Sequence, residues 1–333
     1  MNKINVLLLC GGAGSEHEVS LVSSAFLEQQ LAEIDGLNVF PVEIKESGWF
    51  QKHTSLPCHF TVDGALTMDN KKTIIDYAIP CIHGFPGETG DIQSLFAMSK
   101  TPFLGCDAQS STNSFNKITS KLWYDALDIP NTPYLFLSEQ SSESIEKAKS
   151  ALKKWNKVFV KAACQGSSVG CYSVTNEGEL LTAIDNAFTY SDQVLIEQSV
   201  IPRELEVSAY EYQGELFVTN PGEIRAPEGK FYTYEEKYST DSHSTTTLEV
   251  SDLSPDHLAT IQHCAQKVFK QMKLKDLARI DFFLTEENKI YLNEVNTFPG
   301  MTPISMFPKL MEHNGLKFKA FLQSAIYSAV KEK

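Results

Sequence analysis

Residues 278–301 read ARIDFFLTEENKIYLNEVNTFPGM, two apolar runs joined by a polar turn, and no other segment constrains the fold as tightly. Side chains alternate along a strand, so Arg279 shares a face with Asp281, and Glu294 with Asn296. A register that sets Asp281 opposite Glu294 also sets Arg279 opposite Asn296 and closes a hairpin over 286–289. All four polar groups then project together. The opposite face, Ile280, Phe282, Leu284, Tyr291, Asn293 and Val295, is expected to pack on a core. Two carboxylates and an amide oxygen are hard ligands suited to Mg²⁺, which usually keeps waters and shares substrate phosphates. The plain alternative is a solvated strand face carrying one Arg–Asp ion pair.

Elsewhere the pattern is strand, glycine turn and helix, then longer strands and hairpins. Residues 4–9 are a continuous apolar run, as a buried parallel strand needs, and Ser15-Glu16-His17-Glu18 reads as a capping box opening a helix. A second run, 74–82, precedes another glycine-rich turn, so about the first 105 residues form a small α/β domain. Phe115, Ile118, Leu122, Trp123 and Ala126 recur at helical spacing, as do Ile145, Leu152 and Trp155. Apolar runs at 157–161, 171–174 and 194–197 predict a sheet beside those helices. Strands are expected near 205–210 and 216–219, then a helix with Ser254 as N-cap and Pro255 at its first position. The stretch 222–244 has no clear apolar period, and a polar loop of that length in a compact protein has a function or is disordered.

Composition narrows the partners. Net charge is −13, with 42 acidic against 29 basic residues and no Lys/Arg run, which argues against nucleic acid or another polyanion. Seven cysteines without a CxxC pair read as reduced thiols of a cytoplasmic protein. The apolar stretch 6–9 is too short for a secretory segment, and no run approaches the length of a membrane span.

Three glycine-rich segments have phosphate-binding character. Gly11-Gly12-Ala13-Gly14 resembles the dinucleotide fingerprint, with Glu33 or Asp35 near the ribose spacing, but His17 stands where the third glycine is needed, which counts against a Rossmann dehydrogenase. Gly222 to Lys230 misses the P-loop spacing. Lys161 followed by Gly166-Ser-Ser-Val-Gly170 is a strand-ending lysine and a loop whose N–H groups can turn toward phosphate; a plain hairpin turn is the alternative.

Taken in order, Gly11-Gly12 with Glu16-His17-Glu18-Val19-Ser20, His83-Gly84 with Gly87-Glu88, Lys161 with Gly166 to Gly170, Tyr234-Glu235-Glu236-Lys237-Tyr238, Arg279-Ile280-Asp281, and Glu294 to Met301 resemble the D-alanine:D-alanine ligases of the ATP-grasp superfamily. The resemblance covers nearly the whole chain. It implies an α/β fold, α+β in its C-terminal part, of three domains: a Rossmann-like substrate-binding domain over 1–105, a central ATP-grasp subdomain over 106–196, and a C-terminal ATP-grasp domain over 197–333 with the metal site and a lid loop. It also implies ligation of two D-alanines with ATP, in the cytoplasmic branch of bacterial cell-wall synthesis, by a homodimer.

Carried over residue by residue, Glu16 matches the acid that holds the first D-alanine's ammonium, with His83 beside its carboxylate, and Ser167 and Tyr238 match hydroxyls linked to Glu16. Lys117, Lys161 and Lys237 match lysines on the nucleotide phosphates. Glu197, Val200 and Glu204 match residues at adenine and ribose. Asp281, Glu294 and Asn296 match the ligands of two Mg²⁺ ions, for which Mn²⁺ can substitute. Arg279 and the Gly300 N–H match oxyanion stabilisers, and Ser305 with Met306 the grip on the second D-alanine. The resemblance leaves two rivals: a ligase taking D-lactate or D-serine second, against which Tyr238 speaks, and a non-catalytic ATP-binding protein, against which the retained metal ligands speak.

Overall fold

The computed structural model describes residues 3–225 and 245–331 as mixed α/β, with three sheets. The apolar run at the N-terminus becomes the strand Ile4–Gly11, paired in parallel with Leu37–Lys45 on one side and Tyr77–Pro80 on the other. Only these three strands are Rossmann-like. The sheet continues from Leu37–Lys45 through four short antiparallel strands, Gly48–Gln51, Pro57–Phe60, Ala65–Met68 and Lys71–Ile74. Each has only four residues, with buried and exposed positions mixed across the four strands, so no long apolar run marked them.

The helix His17–Ala32 starts one residue later than a capping box requires. Glu16 is its N-cap and makes no side-chain cap bond. The expected helix through Phe115 to Ala126 is two helices, Ala108–Phe115 and Lys117–Ala126. They break at Asn116, whose extended backbone lets its side chain accept from the Ile118 and Thr119 N–H groups. The second helix buries Ile118, Lys121 and Tyr124, while Leu122, expected on the apolar face, is exposed.

The second sheet is antiparallel, in the order Cys171–Val174, Val158–Ala162, Val194–Gln198, Tyr134–Leu137. It keeps its own core with the helices Ser142–Trp155 and Glu177–Phe188. The third runs Thr245–Thr247, Gly222–Arg225, Pro202–Tyr212, Leu277–Thr285, Ile290–Asn296, with Glu215–Val218 also on Pro202–Tyr212. The polar stretch from 222 thus begins as a strand; residues 226–244 lie outside the described residues. The helix Pro255–Gln271, capped by Ser254 with Pro255 at its start, packs on one face of this sheet through Ile261, Ala265, Val268 and Phe269.

A further core joins the first sheet to the C-terminal part: Val6, Leu8, Leu27 and Ile79 pack with Phe298, Met301, Phe307, Phe318 and Phe321. Burial of that many large apolar groups fixes the end of the 278–301 segment against the N-terminal sheet. All seven cysteines are free thiols. Among the described residues no helix is long and apolar enough to cross a membrane.

Candidate active site

Strands Leu277–Thr285 and Ile290–Asn296 pair with Arg279 opposite Asn296 and Asp281 opposite Glu294, the register expected from alternation. The register then slips by one, so Phe282 faces Leu292. That bulge at Asn293 reverses the expected faces beyond it: Ile290 and Leu292 are buried, whereas Tyr291 and Asn293 are not core residues. Asn293 instead joins Glu294 in lining a cavity.

The cavity lies between the second and third sheets. Of the residues singled out in the sequence, Lys117, Lys161, Ser167, Glu197, Val200, Glu204, Arg279, Asp281 and Glu294 line it. Asn296 sits beside it, its amide donating to Asp281 Oδ2 at 3.0 Å. Arg279 holds Asp281 through two bonds of 2.8 Å each, and its Nε is 3.2 Å from Glu206 Oε2. Burial works against the guanidinium charge, but Asp281 and Glu206 outweigh it and hold Arg279 well above its ordinary value.

Glu206, which the sequence reading passed over, pairs across strands with Asp281, which pairs with Glu294. Three carboxylates therefore form a row across adjacent strands. Hard oxygen donors of this kind suit Mg²⁺, although no three His, Cys, Asp or Glu side chains among the described residues form a metal-holding group.

On the other wall, the buried Glu197 carboxylate sits between two cations: Lys121 Nζ is 2.5 Å from one oxygen and Lys161 Nζ 2.5 Å from the other. Thr132 Oγ1 donates to it at 2.6 Å. Burial alone would raise the Glu197 carboxyl, but Lys121 and then Lys161 reverse this and hold it far below the usual carboxylate range. Lys121 and Thr132 were not foreseen, because their partner lies some 65 residues or more along the chain. Lys117 opens its helix and donates from Nζ to the Gln165 carbonyl.

The loop after Lys161 turns back through Ser167 and Ser168, both with positive φ, 50° and 62°. Two adjacent non-glycine residues in that region store strain and bring their N–H groups round to one side. The turn aims the Ser167 hydroxyl at Glu16, to which it donates. Gly166 passes so close that a Cβ would come within 2.6 Å of Glu16 Oε2. Glu16 and Ser167 thus meet across the first and second sheets as the sequence resemblance implied.

His83 is buried, with Nδ1 3.2 Å from the Phe298 carbonyl and Nε2 2.9 Å from Ser23 Oγ. Burial pushes its pKa down despite the nearby Glu16, which favours the neutral ring. Ser305 is the N-cap of the helix Met306–His313, but its Oγ is engaged with Thr302 and not with its own helix. A side chain on Gly300 would meet Ser305 Oγ at 3.0 Å, so these two are neighbours. The Met306 side chain is buried with Ile224 and Leu310, which leaves only its backbone to face a carboxylate. Lys237 and Tyr238 lie outside the described residues.

Glu88 accepts from the Gly84 N–H at 2.9 Å. Burial and then the neighbouring Glu16 push its carboxyl up to about 8. At neutral pH it is mostly protonated and adds no second negative charge beside Glu16. Because Glu16 contributes to the rise, Glu16→Gln should lower the Glu88 midpoint. Carbon-13 titration of the Glu88 carboxyl in both proteins checks this; an unchanged midpoint contradicts it.

Residues 5–106 match the family model "D-ala D-ala ligase N-terminus" and residues 122–327 match "D-ala D-ala ligase C-terminus". The chain belongs to the D-alanine–D-alanine ligase family. A D-alanine–D-alanine ligase of Aliivibrio fischeri is 61% identical over 328 residues, 98% of this chain and 99% of that protein. One of Vibrio atlanticus is 59% identical over 330 residues, 99% and 100% of the two. The crystal structure of D-alanyl-alanine synthetase A from Vibrio cholerae superposes with a TM-score of 0.95 at 56% identity, covering 99% of each chain. The three-sheet architecture is accordingly that of the ATP-grasp proteins.

Proposed function

We infer that the chain joins two D-alanines into D-alanyl-D-alanine, converting ATP to ADP and phosphate, for peptidoglycan precursor synthesis. The observation that carries this is the family membership over nearly the whole chain. The Glu16–Ser167 contact beside a cavity lined by Lys117, Lys161, Asp281 and Glu294 supports it.

A carboxylate does not react with an amine until its oxygen becomes a leaving group, so the first D-alanine is converted to an acyl phosphate. Glu16 holds its ammonium and Ser167 holds Glu16, while His83 stands beside the carboxylate. Lys117, Lys161 and Lys237 meet the phosphates, while Glu197 and Val200 face the adenine and Glu204 the ribose. Asp281, Glu294 and Asn296 would hold two Mg²⁺ ions, with Mn²⁺ as a substitute. A metal held there would supply charge neutralisation on the phosphates during transfer. The amine of the second D-alanine, its carboxylate held by Ser305 and the Met306 N–H, then attacks the acyl carbon. Negative charge grows on the acyl oxygen, where Arg279 and the Gly300 N–H stabilise it. Tyr238 completes the link to Glu16. Residues 1–105 bind the first amino acid, and 106–196 and 197–333 enclose the nucleotide, in a cytoplasmic homodimer.

Phosphate release from Mg²⁺-ATP with D-alanine, L-alanine, D-serine and D-lactate in parallel tests this. D-alanine alone should give strong release with dipeptide as product. Release indifferent to D-alanine, or an ester product with D-lactate at neutral pH, would overturn the assignment.

A further inference from the structure

We propose that Ser23 is a positioning residue that locks the 298–301 loop onto the first-substrate site. Ser23 lies two helical turns after Glu16 in the helix His17–Ala32 and is fully buried. Its Oγ is 2.9 Å from His83 Nε2 and 3.3 Å from the Met301 N–H. The proton count follows from the partners. The Phe298 carbonyl can only accept, so His83 Nδ1 carries the ring hydrogen that donates to it. Burial favours the neutral ring, whose Nε2 then offers a lone pair to the Ser23 hydroxyl. The Ser23 oxygen then accepts from Met301.

The result is a closed circuit that runs from Met301 through Ser23 and His83 back to Phe298. Both flanks of Gly300 are thereby tied to the element that carries Glu16. The buried contact of Phe298 and Met301 with Leu8, Leu27 and Ile79 gives this loop its place but leaves its rotation open, since apolar packing is not directional. Hydrogen bonds to the carbonyl on one side and the N–H on the other fix that rotation. A donor aimed at a developing charge has its effect only within tenths of an ångström of the right place, and a misplacement of about 1 Å can cost about 100-fold in rate.

The inference rests on the reading of the Gly300 N–H as an oxyanion donor, and the experiment separates the two. Nitrogen-15 spectra of the histidine side chains in the unaltered protein should show His83 neutral, with its hydrogen on Nδ1. A hydrogen on Nε2, or a charged ring at pH 7, overturns the circuit whether or not any variant folds. Ser23→Ala should lower kcat by about 10- to 100-fold with KM for D-alanine and nucleotide affinity little changed. A rise in KM for D-alanine at unchanged kcat would keep Ser23 as the positioning residue and overturn the Gly300 reading. Both parameters within twofold of the unaltered protein would overturn the role of Ser23.

Discussion

Asp281→Asn and Glu294→Gln should each lower kcat by at least about 10²-fold while the thermal transition and far-ultraviolet spectrum stay close to those of the unaltered protein. Each substitution keeps the side chain's size and removes one negative charge from the row Glu206, Asp281, Glu294. Asp281→Asn has a second consequence. The carboxylate takes two hydrogen bonds from Arg279, and an amide can accept only one of them. Arg279 then keeps its contact with Glu206, and its guanidinium is less firmly aimed. Glu294→Gln removes a charge from the same row but leaves the two bonds from Arg279 to Asp281 in place, so it separates the loss of charge from the loss of that pairing. Near-normal turnover of Glu294→Gln at ordinary Mg²⁺ concentrations would remove the metal assignment, whatever Asp281→Asn does.

Glu197→Gln should be the most destabilising single change in the site, by about 3–5 kcal/mol, because it leaves two cations, one of them the buried Lys121, without their shared carboxylate. Its pH dependence has a definite sign. The Glu197 carboxyl is held far below its ordinary value of 4.5, so its contribution is fully present above about pH 4.5 and is lost as pH falls below that toward the folded value. Denaturant midpoints followed from pH 7 down to pH 3 should therefore fall for the unaltered protein and fall less for Glu197→Gln. Adding Lys121→Met to Glu197→Gln should recover part of the loss, since it removes the buried charge left without a partner. If Glu197→Gln is as stable as the unaltered protein at pH 7, the two-lysine account of this wall is wrong.

The hairpin carrying Arg279, Asp281, Glu294 and Asn296 was legible because strand alternation is strict: placing Asp281 against Glu294 sets Arg279 opposite Asn296. The same logic failed at Asn293, because a bulge adds a residue without leaving a mark in composition, and it moved Asn293 and Tyr291 off the core face. The Ser15 capping box failed for a different reason. The helix starts one residue later, and the Glu16 carboxylate is turned to Ser167, a partner 151 residues away. Nothing in the local sequence around Lys121 points to its buried partner Glu197, and Glu206 reads like any polar residue in a strand until its neighbours are known. Ser23 and its fully buried neighbours Ser20 and Ser24 were the clearest missed signal. Three serines on the inward face of a helix must find partners on other segments, and a reading of local periodicity cannot name them. The sequence resemblance reached Glu16, Ser167 and the cavity lysines because order along the chain carries information that local pattern does not.

The measurement closest to the central claim uses D-alanine labelled with oxygen-18 in its carboxylate, incubated with Mg²⁺-ATP and this protein. If the first D-alanine is activated as an acyl phosphate, one carboxylate oxygen leaves with the phosphoryl group, and each phosphate released with dipeptide carries one labelled oxygen. Phosphate without label, formed in step with D-alanyl-D-alanine, would contradict the account.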